Sequence, residues 1–190
     1  MKKILFLITL SAMVFSADLT NFSLAIGDPA PKWMLYNFNN VIQKDMDLSK
    51  TIKFSSLVGK KAIVLSFFTR DCVNCKFEIP ELQKISLDYT NANVVFYLVL
   101  IKTKDDTVEN MTDDITNRGY TLPILYHGFP DTVLKSYIKN KTGELNPVPL
   151  LYIIDLKGNI SFMKVGFDRN DVEKETAKIR KSIDRALTSK

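Results

Sequence analysis

Cys72 and Cys75 are the two cysteines of this 190-residue chain, and Cys72-Val73-Asn74-Cys75 separates them by two residues. A Cys-x-x-Cys pair is compatible with half of a metal site, a structural disulfide or a redox dithiol. A protein-built zinc site needs three or four Cys or His ligands, and His127 is the single histidine. A structural disulfide here would close a ring of four residues and constrain little of the unfolded chain. A strand running into a helix at the pair favours the redox dithiol. A thiol at a helix N-terminus meets the positive end of the dipole and unpaired N–H groups, and both favour the thiolate. Cys72, at the exposed start, is therefore the expected attacking sulfur, and Cys75, one turn deeper, the resolving one. Arg70 should favour the thiolate and Asp71 oppose it. Lys76 should project to solvent. Glu78, three residues after Cys75, lies near it on one helix face. A carboxylate facing a buried thiol pair has its pKa raised and can shuttle the resolving proton; the alternative is a solvated helix glutamate.

The elements that must position these residues are legible in the pattern. Residues 62–68 form an almost continuous apolar, β-branched run, suited to a strand buried on both faces. From Cys72 to Tyr89 the pattern is helical, with Ile79, Leu82, Ile85 and Tyr89 on one face and Pro80 inside. Residues 94–101 form a second buried strand, 107–118 a helix closed by Gly119, and 122–126 a short strand. Asp131 is placed to cap a helical turn through Tyr137. Residues 150–155 and 160–165 are two strands joined by Leu156-Lys157-Gly158-Asn159. Asn170 or Asp171 opens a last helix with Val172, Thr176, Ile179, Ile183 and Leu187 at helical spacing. Residues 32–38 and 52–54 fit an N-terminal hairpin, and Ser55 to Gly59 a capped helical turn. A helical crossover makes the first two core strands parallel, and the short turn makes the last pair antiparallel. The expected class is α/β, a mixed sheet between helices.

Composition agrees: 46% hydrophobic and 25% charged residues is a globular balance. The net charge of +5 is scattered, with no block that reads as a nucleic-acid patch. Lys2 and Lys3 precede an apolar run of about a dozen residues and then the small residues Ser16 and Ala17, the layout of a secretory signal peptide over residues 1–17. The run is too short for a stable membrane span, which takes about 20 residues. A mature domain over residues 18–190 would then work in an oxidising compartment, periplasmic or secreted.

The segment from Phe67 to Pro80 resembles the active-site segment of the TlpA/ResA-like thioredoxin-fold family, with Lys76, Glu78 and Pro80 at the family's spacing after Cys-x-x-Cys. Ile26 to Pro31 and Leu57 to Lys61 resemble the family's N-terminal extension, and Val148 to Ile160 its cis-proline strand and hairpin. The resemblance covers about residues 26 to 187. It implies a thioredoxin-like fold with an N-terminal β-hairpin extension and an extracytoplasmic thiol–disulfide oxidoreductase. Electrons would ride on the dithiol without a cofactor. Protein thiol or disulfide clients, a membrane thiol-electron transporter and a role in cytochrome c maturation follow from the same resemblance. Pro149 would be the cis-proline beside the disulfide, and Val148 would hold client backbone. The chain departs from the family at Asp71, where tryptophan is usual, at Leu150, where threonine is frequent, and in a longer polar stretch at 139–146, expected to wall the site.

Two other readings share this architecture. Thr69-x-x-Cys72 matches the motif of thiol peroxidases, but Leu65 stands where their motif has proline. Sco-type copper chaperones usually space their cysteines by three residues and add a histidine.

Overall fold

A computed structural model describes residues 21–38, 50–127 and 132–189. The proposed signal segment and Asp131 lie outside these. Seven strands form one sheet: β1 (Met34–Asn37), β2 (Thr51–Lys53), β3 (Ala62–Phe68), β4 (Val94–Ile101), β5 (Ile124–His127), β6 (Leu150–Ile154) and β7 (Ile160–Val165). Their order across the sheet is β2-β1-β5-β4-β3-β6-β7. β3, β4 and β5 run parallel, and β6 and β7 add antiparallel on one side. The helices are α1 (Cys75–Asp88), α2 (Val108–Asn117), α3 (Thr132–Ile138) and α4 (Val172–Thr188).

All seven residues of β3 are buried, as a strand covered on both faces requires. The period-2 alternation of the strand splits them between two cores. Val64 and Phe68 pack with Ile79, Leu82 and Ile85 of α1 and Ile179, Ile183 and Ala186 of α4. Ile63, Leu65 and Phe67 pack on the other side with Trp33, Phe54, Leu134 and Tyr137. Ser66 is the polar break in this run, and its face is the one that α1 covers.

The N-terminal hairpin forms as expected, and it also joins the main sheet. β1 pairs with β2 and, through Tyr36 and Asn37, with β5. The turn after β2 is a 3-10 helix over Phe54–Ser56 with Lys53 ahead of it and no side-chain cap, so the expected serine cap is absent there. Thr107 starts α2 through a reciprocal capping box with Asn110. Asp171 caps α4 by accepting from the Lys174 N–H. His127 ends β5.

Candidate active site

β3 ends at Phe68 and the chain turns through residues 69–74 before α1 begins at Cys75. The helix thus starts three residues later than the pattern suggests, and Cys72 sits in the turn ahead of it. The two sulfurs are joined in a disulfide, with Cα atoms 5.4 Å apart. The Cys75 N–H points at Cys72 Sγ at 3.1 Å, so the first helical turn still offers the outer sulfur a donor. Cys72 retains 8% exposure and Cys75 none. The order of access is as expected, although even the outer residue is buried. Val73 between them is exposed, as is Lys76.

Arg70 does not offer Cys72 a free positive charge. Its Nε donates to Asp106 Oδ1 at 2.8 Å, and a second nitrogen lies 3.4 Å from Asp71. Asp106 also accepts from the Thr103 N–H and hydroxyl, each at 2.7 Å. Burial pushes its carboxyl up, but the Arg70 and Thr103 donors outweigh that and hold it below the usual carboxylate range. Arg118 donates to the Arg70 carbonyl at 2.9 Å and pins the turn. Asp106 was not a sequence candidate. Its tie to Thr103 is local, whereas its tie to Arg70 depends on β3 and β4 lying side by side.

Glu78 is fully buried, which removes the solvated alternative. One turn into α1 it projects onto the sheet. Oε1 accepts from Ser66 Oγ at 2.8 Å. Among the described residues Oε2 has no hydrogen-bond partner, and its counter-charge is Lys164 Nζ at 3.5 Å. Burial pushes the Glu78 carboxyl up, and Lys164 and Ser66 pull it down by less. Ser66 and Lys164 lie in one row across the sheet. Ser66 pairs with Leu151, and Leu151 with Lys164. Two strand spacings, roughly 10 Å, separate the polar residues, and the Glu78 carboxyl bridges them.

The Val148–Pro149 peptide is cis. Phe67 pairs with Leu150, so the end of β3 that leads to Cys72 and the start of β6 that follows Pro149 share one end of the sheet. Pro149 is buried and Val148 half-buried. The polar stretch at 139–146 folds as a small hairpin tied to the N-terminal arm. Asn140 caps it by accepting from the N–H groups of Thr142 and Glu144. Lys141 N–H and Ser23 Oγ link it to the arm. Further hydrogen bonds of this stretch run to the end of α3, from Asn146 to the carbonyls of Ile138 and Tyr137.

The sequence profile of the AhpC/TSA family matches residues 26–163. The chain belongs to that family. It is 26% identical over 141 residues to the thiol-disulfide oxidoreductase ResA of Oceanobacillus iheyensis, a match covering 71% of this chain and 62% of that relative. The chain therefore spans less than two thirds of that relative's length. Among solved structures, a thiol:disulfide interchange protein of the thioredoxin family from Chlorobium tepidum superposes with a TM-score of 0.63 at 22% identity, over 86% of this chain and 98% of that one. StoA from Bacillus subtilis superposes with a TM-score of 0.59 at 17% identity, over 82% and 98%. The fold is thioredoxin-like, with the N-terminal hairpin that the motifs imply.

Proposed function

We propose that this protein is an extracytoplasmic thiol–disulfide oxidoreductase that reduces protein disulfides through Cys72 and Cys75. The observation that carries the reading is the stack at the head of α1: a partly accessible sulfur, an inaccessible one bonded to it, and a buried carboxyl one turn further on. In the reduced protein, the Cys72 thiolate attacks a client disulfide. A Cys72–client S–S bond forms and the client's other sulfur leaves as a thiolate. Cys75 then passes its proton to Glu78 and attacks Cys72 Sγ. The Cys72–Cys75 disulfide closes, and the client leaves with both electrons of the dithiol. Val148, half-buried at the same end of the sheet, is the proposed client-facing residue, with the buried Pro149 packing beside the disulfide; an extended client segment would pair with the Val148 backbone.

The lysine-led apolar segment at residues 1–17 supports export. Re-reduction outside the cytoplasm then needs a membrane thiol-electron transporter, and the resemblance of residues 67–80 to the TlpA/ResA-like active-site segment supports a role in cytochrome c maturation. The test is turnover of insulin disulfides by the dithiothreitol-recharged protein, with a redox titration against glutathione. Cys72→Ser should abolish turnover, and Cys75→Ala should accumulate mixed disulfides. A potential well below the glutathione couple supports a reductant, and one well above it overturns that direction. Peroxide consumption exceeding insulin reduction would instead favour a peroxidase. Leu65 argues against this, because it sits mid-strand between β4 and β6, paired with Tyr97 and Tyr152, where proline would break the ladder.

A further inference from the structure

Glu78 does not meet Lys164 alone. Lys164, on β7, also contacts Glu175 of α4, and this contact is the closer of the two. Its ammonium lies 4.7 Å from the centre of the Phe167 ring, which holds it further. Glu175 Oε1 in turn accepts from Lys178 at 3.3 Å, and the Lys178 side chain is half exposed. Among the described residues the charged groups facing Glu78 are therefore Lys164 from β7 and Glu175 from α4, with the Ser66 hydroxyl from β3. Lys178 forms the solvent end of the chain.

One ammonium is thus divided unequally between two carboxylates. Glu175 has two cations, and despite its burial they hold its carboxyl below the usual range. Glu78 has a share of one, with Oε2 left unbonded. Environments that push two carboxyls apart in this way assign one to hold charge and the other to exchange a proton. A purely structural ion network would leave neither carboxylate short of donors.

We propose that Lys164 and Glu175 are positioning residues that set the proton affinity of Glu78: Glu175 draws the ammonium away and so keeps Glu78 able to take up the proton of Cys75. The consequence for exchange rests on the dithiol reading above. The two residues act with opposite sign. Losing Lys164 removes the cation and must make Glu78 hold its proton more tightly. Losing Glu175 removes a negative neighbour and releases the cation to Glu78, so the proton must be held less tightly.

The experiment is a carbon-13 NMR titration of the glutamate carboxyls of the oxidised protein, with Glu78 assigned by its absence in Glu78→Gln. Lys164→Met should lower the Glu78 ionisation constant by about tenfold or more, the scale for loss of an opposite charge at this range. Glu175→Gln should raise it several-fold, and Lys164→Arg should stay near wild type. If Lys164→Met does not fold, the sign of the Glu175→Gln change decides alone. An unmoved titration, or movement in the same direction in both variants, overturns the proposal. The pH profile of exchange with a small disulfide, measured alongside, should move with the titration. If the carboxyl moves and the exchange profile does not, the positioning role stands and the reading of Glu78 as proton carrier falls.

Discussion

Glu78→Gln should alter the pH dependence of stability in a direction that the structure dictates. Burial raises the proton affinity of Glu78 in the folded protein, whereas in the unfolded chain it titrates near the ordinary glutamate value of about 4.3. Between these two values the folded state binds the extra proton, so wild-type stability falls as pH rises. Below the window both states are protonated and the contribution is fully present; above it the contribution is lost. One proton gives a slope of at most about 1.4 kcal/mol per pH unit, and the width of the sloping region measures the upward shift directly. The amide introduced by the substitution keeps the shape of the carboxyl and carries no charge. Its nitrogen can donate to Ser66 Oγ while its oxygen faces Lys164. The variant should therefore gain on wild type steadily as pH rises through the window. Urea denaturation of both oxidised proteins from pH 4 to 8 at fixed ionic strength checks this, because carboxyls outside the network contribute equally and cancel in the difference. A flat difference, or one that grows as pH falls, would refute the assignment of Glu78 as a buried carboxyl of raised proton affinity.

Two further outcomes follow from the same geometry. In the reduced protein, iodoacetamide should modify Cys72 well before Cys75, since Cys75 has no exposed surface; peptide mass spectrometry showing equal labelling would remove the division of roles. Asp106→Ala deprives Arg70 and Thr103 of an acceptor for three donated hydrogen bonds and should cost about 2–4 kcal/mol in urea denaturation at neutral pH. Because the Asp106 carboxyl is held low, that stability is present above the ordinary aspartate value near 3.9 and lost as pH falls. A neutral-pH cost below about 0.5 kcal/mol would show that the turn does not depend on it.

The long periodic elements were legible because their patterns are local. Residues 62–68, the apolar stripe of α1 and the hairpin at 150–165 needed no knowledge of distant contacts. The cysteine pair was equally legible from the strand that feeds it. What escaped was charge compensation. Arg70 reads as a free cation beside Cys72, but its partner Asp106 arrives from the loop that follows β4. Glu175 looks like a solvated residue of an amphipathic helix, and Lys164 like the outward member of an alternating strand. Each is drawn inward by a partner on another element. The one local signal was Ser66, a hydroxyl in a run that otherwise buries only hydrocarbon. Such a residue asks for an acceptor on the helix packed over it, and Glu78 supplies it.

The placement of Lys164 depends on a detail remote from the cysteines. The hairpin closes with Ile154 opposite Ile160, but the next pair is Ile153 with Phe162, so Ser161 is an extra residue in β7. Its hydroxyl donates to the Ile153 carbonyl at 3.0 Å and satisfies the ladder where the bulge interrupts it. Without the bulge, regular pairing would set Met163 opposite Leu151. Because a one-residue slip exchanges the faces of a strand, Lys164 would then point into the other layer and Glu78 would lose its cation. With the bulge, Lys164 shares the Leu151 row and the Ser66 face, and Met163 packs into the opposite core. The turn holds this register: Asp155 Oδ1 accepts from the Asn159 N–H at 2.9 Å. Gly158 adopts φ 85° there, and an added Cβ would meet Val58 at 3.2 Å. A strand irregularity that no hydrophobic pattern announces thus decides which residue faces the buried carboxyl, and through it the protonation of the site.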